Sequence, residues 1–231
     1  MSRRVQRLIP KGWIKLERLV RIQRKLTSKV RIQGPPRWPP RLVAGIDLAY
    51  SGGFTFVAIV VVTYPEGRVV SELWAKLPET FPYIPTFLFM REGPPILYAL
   101  TKLPVDPDLL LVNGHGLLHP RRMGLATYVG VVSGKPSVGV AASLLRGFVV
   151  GEDGFVRDKK TGEVLGAVIK RGKRAAYVSP GHLVTLERCI EVVRVLTAEG
   201  RCMPKPILLA DRLSKVYRPR GHSASLQSFL N

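Results

Sequence analysis

Asp47 stands inside LVAGIDLAY (42–50), an otherwise apolar run. A carboxylate placed there must face the sheet edge, cap a backbone amide or coordinate something that offsets its burial. Glu92, in Arg91-Glu92-Gly93 after a Pro-rich turn, and Asp211, in LLADRLSK, are a second and a third acid. Acids this far apart in sequence reach one site only through the fold. His115 and His119 lie in NGHGLLHPRR (113–122), together with Asn113, Arg121 and Arg122, where a buried strand gives way to a loop. Two histidines, two glycines and two arginines at such a place serve packing poorly and point to function. Acids at strand ends on a basic protein suit phosphodiester hydrolysis, in which a hard cation such as Mg²⁺, held by Asp or Glu oxygens, polarises the phosphoryl group and activates water. In FPYIPTF (81–87) the prolines flank Tyr83 and Ile84. Pro82 and Pro85 stiffen the loop, which either holds the aromatic outward as a base-stacking wedge or forms an ordinary turn with a half-buried tyrosine.

The elements that must position these residues follow from periodicity. Leu16, Leu19, Val20, Leu26 and Val30 recur at helical spacing over 15–33, with Arg18, Arg21, Arg24, Lys25 and Lys29 on the rest of the surface, which predicts a basic amphipathic helix. Strands are expected at 42–50, 54–64 and 68–77, joined by Ser51-Gly52-Gly53 and Pro65-Glu66-Gly67 as an antiparallel meander. A helix near 94–102, a strand at 109–114, a helix near 122–133 and a strand at 136–140 then alternate. Hairpins over 146–180 and helices at 182–199 and 206–216 close the chain. The pattern predicts an α/β fold with a mixed sheet flanked by helices. Residues 1–41 read as a basic N-terminal segment, 42–217 as the core with which it forms one domain, and 218–231 as a loosely held tail.

Composition narrows the partners. The 231 residues carry 36 Lys and Arg against 16 Asp and Glu, a formal net charge of +20. Residues 1–41 hold thirteen of those cations against the single acid Glu17. Such a field favours polyanions through counterion release, so nucleic acid is the expected partner; a solvated face is the alternative for the basic helix. No apolar run approaches the length of a membrane helix, and a cytoplasmic monomer is expected. Cys189 and Cys202 match no zinc spacing and are expected as thiols.

The ordered set VAGIDLAYS, PYIPTFLFMREGP, PDLLLVNGHGLLHPRRMGLATYVGV, PSVGVAASLL, GAVIKR, YVSPGH and LADRLSK resembles the endonuclease V family, over about residues 16 to 216. The resemblance implies a ribonuclease H-like fold and a metal-dependent endonuclease that cuts nucleic acid on the 3′ side of deaminated adenine (inosine), in DNA or in RNA. It implies Mg²⁺, with Mn²⁺ as a substitute. By resemblance Asp47, Glu92 and Asp211 are metal-site acids, with Asn113 at a fourth metal position, and Asp47, Glu92, His119 and Asp211 are the catalytic set. Pro82, Tyr83 and Ile84 form the strand-separating wedge. Arg91, His115, Arg121 and Arg122 contact nucleic acid. Two positions depart from the family. Asn113-Gly114-His115-Gly116 stands where the family has Asp-Gly-His-Gly, and Gly139-Val140-Ala141-Ala142-Ser143 where it has Gly-Val-Ala-Lys-Ser. The first removes a negative charge from the ion's shell and the second an amine from the site, which implies lowered cleavage; a non-cleaving reader of inosine-containing or distorted nucleic acid is the alternative.

Overall fold

The computed structural model describes residues 16–216. The basic residues before Leu16 and the tail expected at 218–231 lie outside the described residues. Helix α1 (Leu16–Thr27) buries Leu16, Leu19 and Gln23 and turns Arg18, Arg21, Arg24 and Lys25 outward. It ends at Thr27, short of the expected Gln33, because the chain beyond finds partners elsewhere. The Arg31 carbonyl accepts from the Leu183 N–H at 2.7 Å, and the Arg31 N–H reaches His182 Nδ1 at 3.3 Å.

Strands β1 (Leu42–Ser51), β2 (Phe54–Thr63) and β3 (Val69–Pro78) form the expected meander. Ser51 pairs with Phe54 across Gly52 and Gly53, whose φ values of 56° and 78° make a two-residue turn that twists with the strands. Helix α2 (Leu88–Lys102) follows, then β4 (Leu109–Asn113), α3 (Leu125–Ser133) and β5 (Ser137–Ala141). Next come β6 (Phe148–Val150), β7 (Phe155–Asp158), β8 (Val164–Arg171) and β9 (Arg174–His182) as successive antiparallel neighbours, then α4 (Leu186–Val195) and α5 (Lys205–Val216). Helices α2 and α4 also differ from expectation. Helix α2 starts at Leu88 rather than Pro94 and carries Pro94 and Pro95 inside it. Neither proline can donate to the carbonyl four residues back, yet burial of Phe89, Ile96 and Ala99 holds the helix together across that gap. Helix α4 starts at Leu186 rather than His182, since His182 ends β9 and the Thr185 hydroxyl caps the helix by accepting from the Arg188 N–H.

The sheet runs β3-β2-β1-β4-β5-β9-β8-β7-β6, with β1, β4 and β5 parallel and every other neighbouring pair antiparallel. Both faces of its centre are covered, which is why β2 and β4 are buried almost continuously. On one face Val43, Val60, Leu111 and Val138 pack under Val192 of α4 and Ile207 and Ala210 of α5. On the other Ile46, Val57 and Val112 pack under Leu19, Phe89, Ile96 and Val129 from α1, α2 and α3. Cys189 and Cys202 are buried, free thiols, as expected. Among the described residues no helix is long and apolar enough to cross a membrane.

Helix α5 lies unusually close to β1. A Cβ added to Gly45 would sit 2.2 Å from the Pro206 carbonyl carbon, so only glycine admits the helix backbone there. The approach sets the register of two acids. From Gly45 to Asp47 the strand advances about 6.8 Å, and from Pro206 to Asp211 the helix advances about 7.5 Å, so both carboxyls arrive at one level. Gly45→Ala is expected to push α5 away and lower stability by about 1–3 kcal/mol, the usual cost of overpacking. Chemical denaturation checks this, and an unshifted midpoint would mean that the helix contact is soft.

Candidate active site

Asp47 lies toward the end of the central strand β1 and is 7% exposed. The parallel ladder pairs Ile46 with Val112, which puts Asn113 beside Asp47 on the next strand and on the same face. Asp211 closes in from α5 on that face, and both Asn113 and Asp211 interact with the Asp47 carboxyl. Glu92 arrives from the opposite face on α2, where Tyr50 Oη donates to its Oε1 at 2.9 Å. The four sequence-read metal positions therefore gather at one end of the sheet.

Their electrostatics are those of negative charge held in short supply of water. Burial pushes the Asp47 carboxyl up to about 7, against the lowering effect of the Leu48 N–H donated at 2.8 Å, and the neighbouring Asp211 charge pushes it further the same way. Burial likewise brings Glu92 up to about 7, with the Tyr50 hydroxyl opposing and the Asp47 charge reinforcing. Lys215 pairs with Asp211 at 2.5 Å and takes up part of the local charge. Oxygen donors from the buried Asp47, the half-buried Glu92 and Asp211 and the Asn113 amide have the chemistry a hard divalent cation selects. Among the described residues no three Asp, Glu, His or Cys side chains form a metal-holding group.

Arg91, next to Glu92, lies with its guanidinium carbon 3.9 Å from the Tyr50 ring centre and pairs with Glu79 at 2.6 Å. Its Nε is buried without a hydrogen-bond partner among the described residues. Beyond Asn113 the loop 114–124 is tied to the sheet: the Gly114 N–H donates to the Val140 carbonyl at 3.0 Å and the Leu117 N–H to the Pro180 carbonyl at 2.8 Å. His115 Nε2 meets the Ser143 carbonyl at 2.9 Å. His119 is buried, its Nδ1 accepts from the Arg121 N–H at 3.2 Å, and its Nε2 meets the Thr86 carbonyl at 3.1 Å. An Nδ1 that accepts leaves the ring proton on Nε2. Burial, with the Arg121 charge second, lowers the His119 pKa to about 3, so the ring is neutral.

A cavity of about 240 Å³ begins at Gly114, the residue after Asn113, and is lined by Tyr83, Phe89, His115, His119 and Leu125 among others. Tyr83 overhangs it and is 57% exposed, whereas Ile84 is buried under the loop and Pro82 half-buried. Ile84 thus anchors the loop and Tyr83 alone presents its ring. Arg122 is turned away: its guanidinium pairs with Asp158 at 2.9 Å and Glu163 at 3.0 Å. Ala142 is exposed just past β5.

The endonuclease V family model matches residues 24–212. The chain belongs to the endonuclease V family. It is 37% identical to the endonuclease V of Thermofilum pendens, over 94% of each chain. Its fold is similar to the catalytic domain of human endonuclease V, with a TM-score of 0.81 and 27% identity over 90% of this chain and 96% of that one. It is also similar to Ciona intestinalis endonuclease V, solved with a 24mer DNA containing an inosine followed by a ribo-adenosine, with a TM-score of 0.77 and 25% identity over 87% of this chain and 96% of that one.

Within this endonuclease V site, three residues escaped the reading of the sequence: Tyr50, Thr86 and Gln23. Tyr50 and Thr86 carry no signal until the fold brings them to Glu92 and His119. Gln23 does carry one, since it is the polar member of the helical stripe that runs from Leu19 to Leu26. The raised Asp47 and Glu92 values fix the sign of a pH effect. Unfolded, both groups lose their protons near pH 4; folded and free of cations they hold them to about pH 7, so stability present at acid pH is lost as pH rises through 7. In chelator the melting temperature is expected to fall between about pH 4 and pH 7, to level off above that, and to recover at the upper end when a divalent cation is added. A flat profile in chelator would mean that these carboxyls are not buried acids.

Proposed function

We propose that this endonuclease V is a divalent-cation-dependent, inosine-directed endonuclease that cuts the backbone on the 3′ side of the lesion, with cleavage lowered by Asn113 and Ala142. The observation that carries the reading is the meeting of Asp47, Asn113, Asp211 and Glu92 at the sheet end, next to the cavity that Tyr83 overhangs. The inosine-containing DNA in the Ciona complex supports the substrate class, and the net charge of +20 suits a polyanion.

In this reading a base swung out of its stack enters the cavity among Phe89, His115 and His119, with Tyr83 taking the place of the stacked neighbour. His119, fixed as the neutral Nε2–H form, adds no charge to the pocket. Arg91, paired with Glu79 and stacked on Tyr50, adds positive charge next to Glu92 for the backbone phosphate. Asp47, Glu92 and Asp211 would supply anionic oxygens to Mg²⁺ or Mn²⁺, and Asn113 a neutral one. When bound, the cation polarises the phosphoryl oxygen and acidifies a water molecule. Replacing a carboxylate by an amide and an amine by the Ala142 methyl weakens both the hold on the ion and the charge facing phosphate. Those same two residues favour the second reading, a protein that recognises inosine without cutting.

The deciding measurement is cleavage of single-inosine DNA and RNA with Mg²⁺ or Mn²⁺, beside gel retardation in chelator. Cleavage that is lost in Asp47→Ala while inosine binding persists supports the enzyme; selective binding with no cleavage by the native chain supports the reader; neither activity overturns both. Restoring charge through Asn113→Asp with Ala142→Lys is expected to raise the cleavage rate more than tenfold, about 1.4 kcal/mol of barrier. A double variant no faster than the native chain would show that these two positions do not limit the reaction.

A further inference from the structure

One buried polar side chain outside the acidic cluster joins three parts of the site. Gln23, on α1, is completely buried. Its Nε2 donates to the Thr86 carbonyl at 3.0 Å and to the Met123 carbonyl at 3.3 Å, and its Oε1 accepts from Arg121 Nε. Two carbonyls on one side and a guanidinium on the other fix which end of the amide is which. Thr86 belongs to the loop that presents Tyr83; Arg121 and Met123 belong to the loop that presents His119.

Thr86 is the point of tension in this junction. It is β-branched and held at φ 68°, a conformation such a residue adopts only under constraint. Its carbonyl faces three donors, from Gln23, from Arg121 Nη2 at 2.9 Å and from His119 Nε2 at 3.1 Å. A carbonyl has two lone pairs, so the position of each donor depends on the others. Arg121 is steadied further by the Phe87 ring, 4.6 Å from its guanidinium carbon, and by Thr27 Oγ1, which donates to the Arg121 carbonyl at 3.1 Å.

We infer that Gln23 is a positioning residue for inosine selectivity: by holding the Thr86 carbonyl and Arg121 together it sets the spacing between the Tyr83 loop and His119 across the cavity. The inference rests on the inosine-directed reading above. Helix α1 also turns Arg18, Arg21, Arg24 and Lys25 to solvent, so the helix that holds the pocket's two loops in register carries a basic outer face.

Two variants test it. Gln23→Met keeps the length of the side chain and removes its polar head; Gln23→Glu keeps an acceptor for Arg121 and removes the donor to Thr86 and Met123. The readouts are the ratio of inosine to adenine binding in chelator, the ring ¹⁵N signals of His119 and the melting temperature. In Gln23→Met the ratio is expected to fall about tenfold, as for residues coupled through shared hydrogen bonds, with affinity for adenine-containing strands nearly unchanged. The His119 Nε2 signal is expected to move in both variants. Loss of melting temperature with the ratio and the His119 signals unmoved makes Gln23 a packing residue and overturns the inference. If the native chain shows no inosine preference, the functional reading fails by itself, and the His119 signals still decide whether Gln23 positions that ring. Should Gln23→Met not fold, the glutamate variant, with its charge facing Arg121, gives the same decision.

Discussion

Burying a carboxyl at the end of a central strand obliges the rest of the molecule to make room for it and to answer its charge. Asp47 is placed where the parallel strands β1 and β4 run side by side, inside the nine-stranded sheet. Helix α5 reaches it only because Gly45 lets the Pro206 backbone approach, and helix α2 reaches the same end from the opposite face with Glu92. The two helices share no core cluster, so the strand is what they have in common. Apolar burial on both faces therefore fixes the distance between acids that never touch through a helix-to-helix contact.

The charge pattern is divided in the same way. Acids come from regular elements, on which a carboxyl can be held against the cost of desolvation. The histidines and Arg121 come from the loop after β4, whose backbone is pinned to β5 and β9 rather than paired in a ladder of its own. Rigid acids and a loop-borne neutral imidazole suit a site in which one part holds charge and the other shapes a pocket.

Much of this was legible in the sequence because the central strands announce themselves. LVAGIDLAY and LLLVNG are apolar runs interrupted by single polar residues, and Asp47 and Asn113 are those interruptions. The meander was legible from Gly52-Gly53, whose backbone freedom the turn requires. Helix α2 was read too short because Pro94 and Pro95 look like a boundary, although Phe89, Gly93 and Ile96 already keep helical spacing across them. Ile84 is buried beneath its loop, and Arg122 is held by Asp158 and Glu163, acids of a distant hairpin that no local pattern connects to it. Gln23, Tyr50 and Thr86 act through contacts between remote segments, which spacing along the chain does not encode.

The outer strands rest on a cluster of their own. Phe148, Val156 and Leu165 pack with Leu118, apart from the two large cores that cover the sheet's centre. So small a cluster makes β6 and β7 a unit able to open at a lower free energy than β1, β2 or β4, whereas Ile169 ties β8 to the large core. Leu118 adjoins His119, and the Arg122 ion pairs with Asp158 and Glu163 tie the same loop to the same hairpins. His119 therefore stands between two neighbourhoods, joined to the edge through Leu118 and Arg122 and to the core through the Thr86 carbonyl and Gln23, whereas Asp47 belongs to the centre alone. An opening of the edge strains the histidine's loop from one side and leaves the acids assembled, so the pocket and the charge cluster need not share one lifetime.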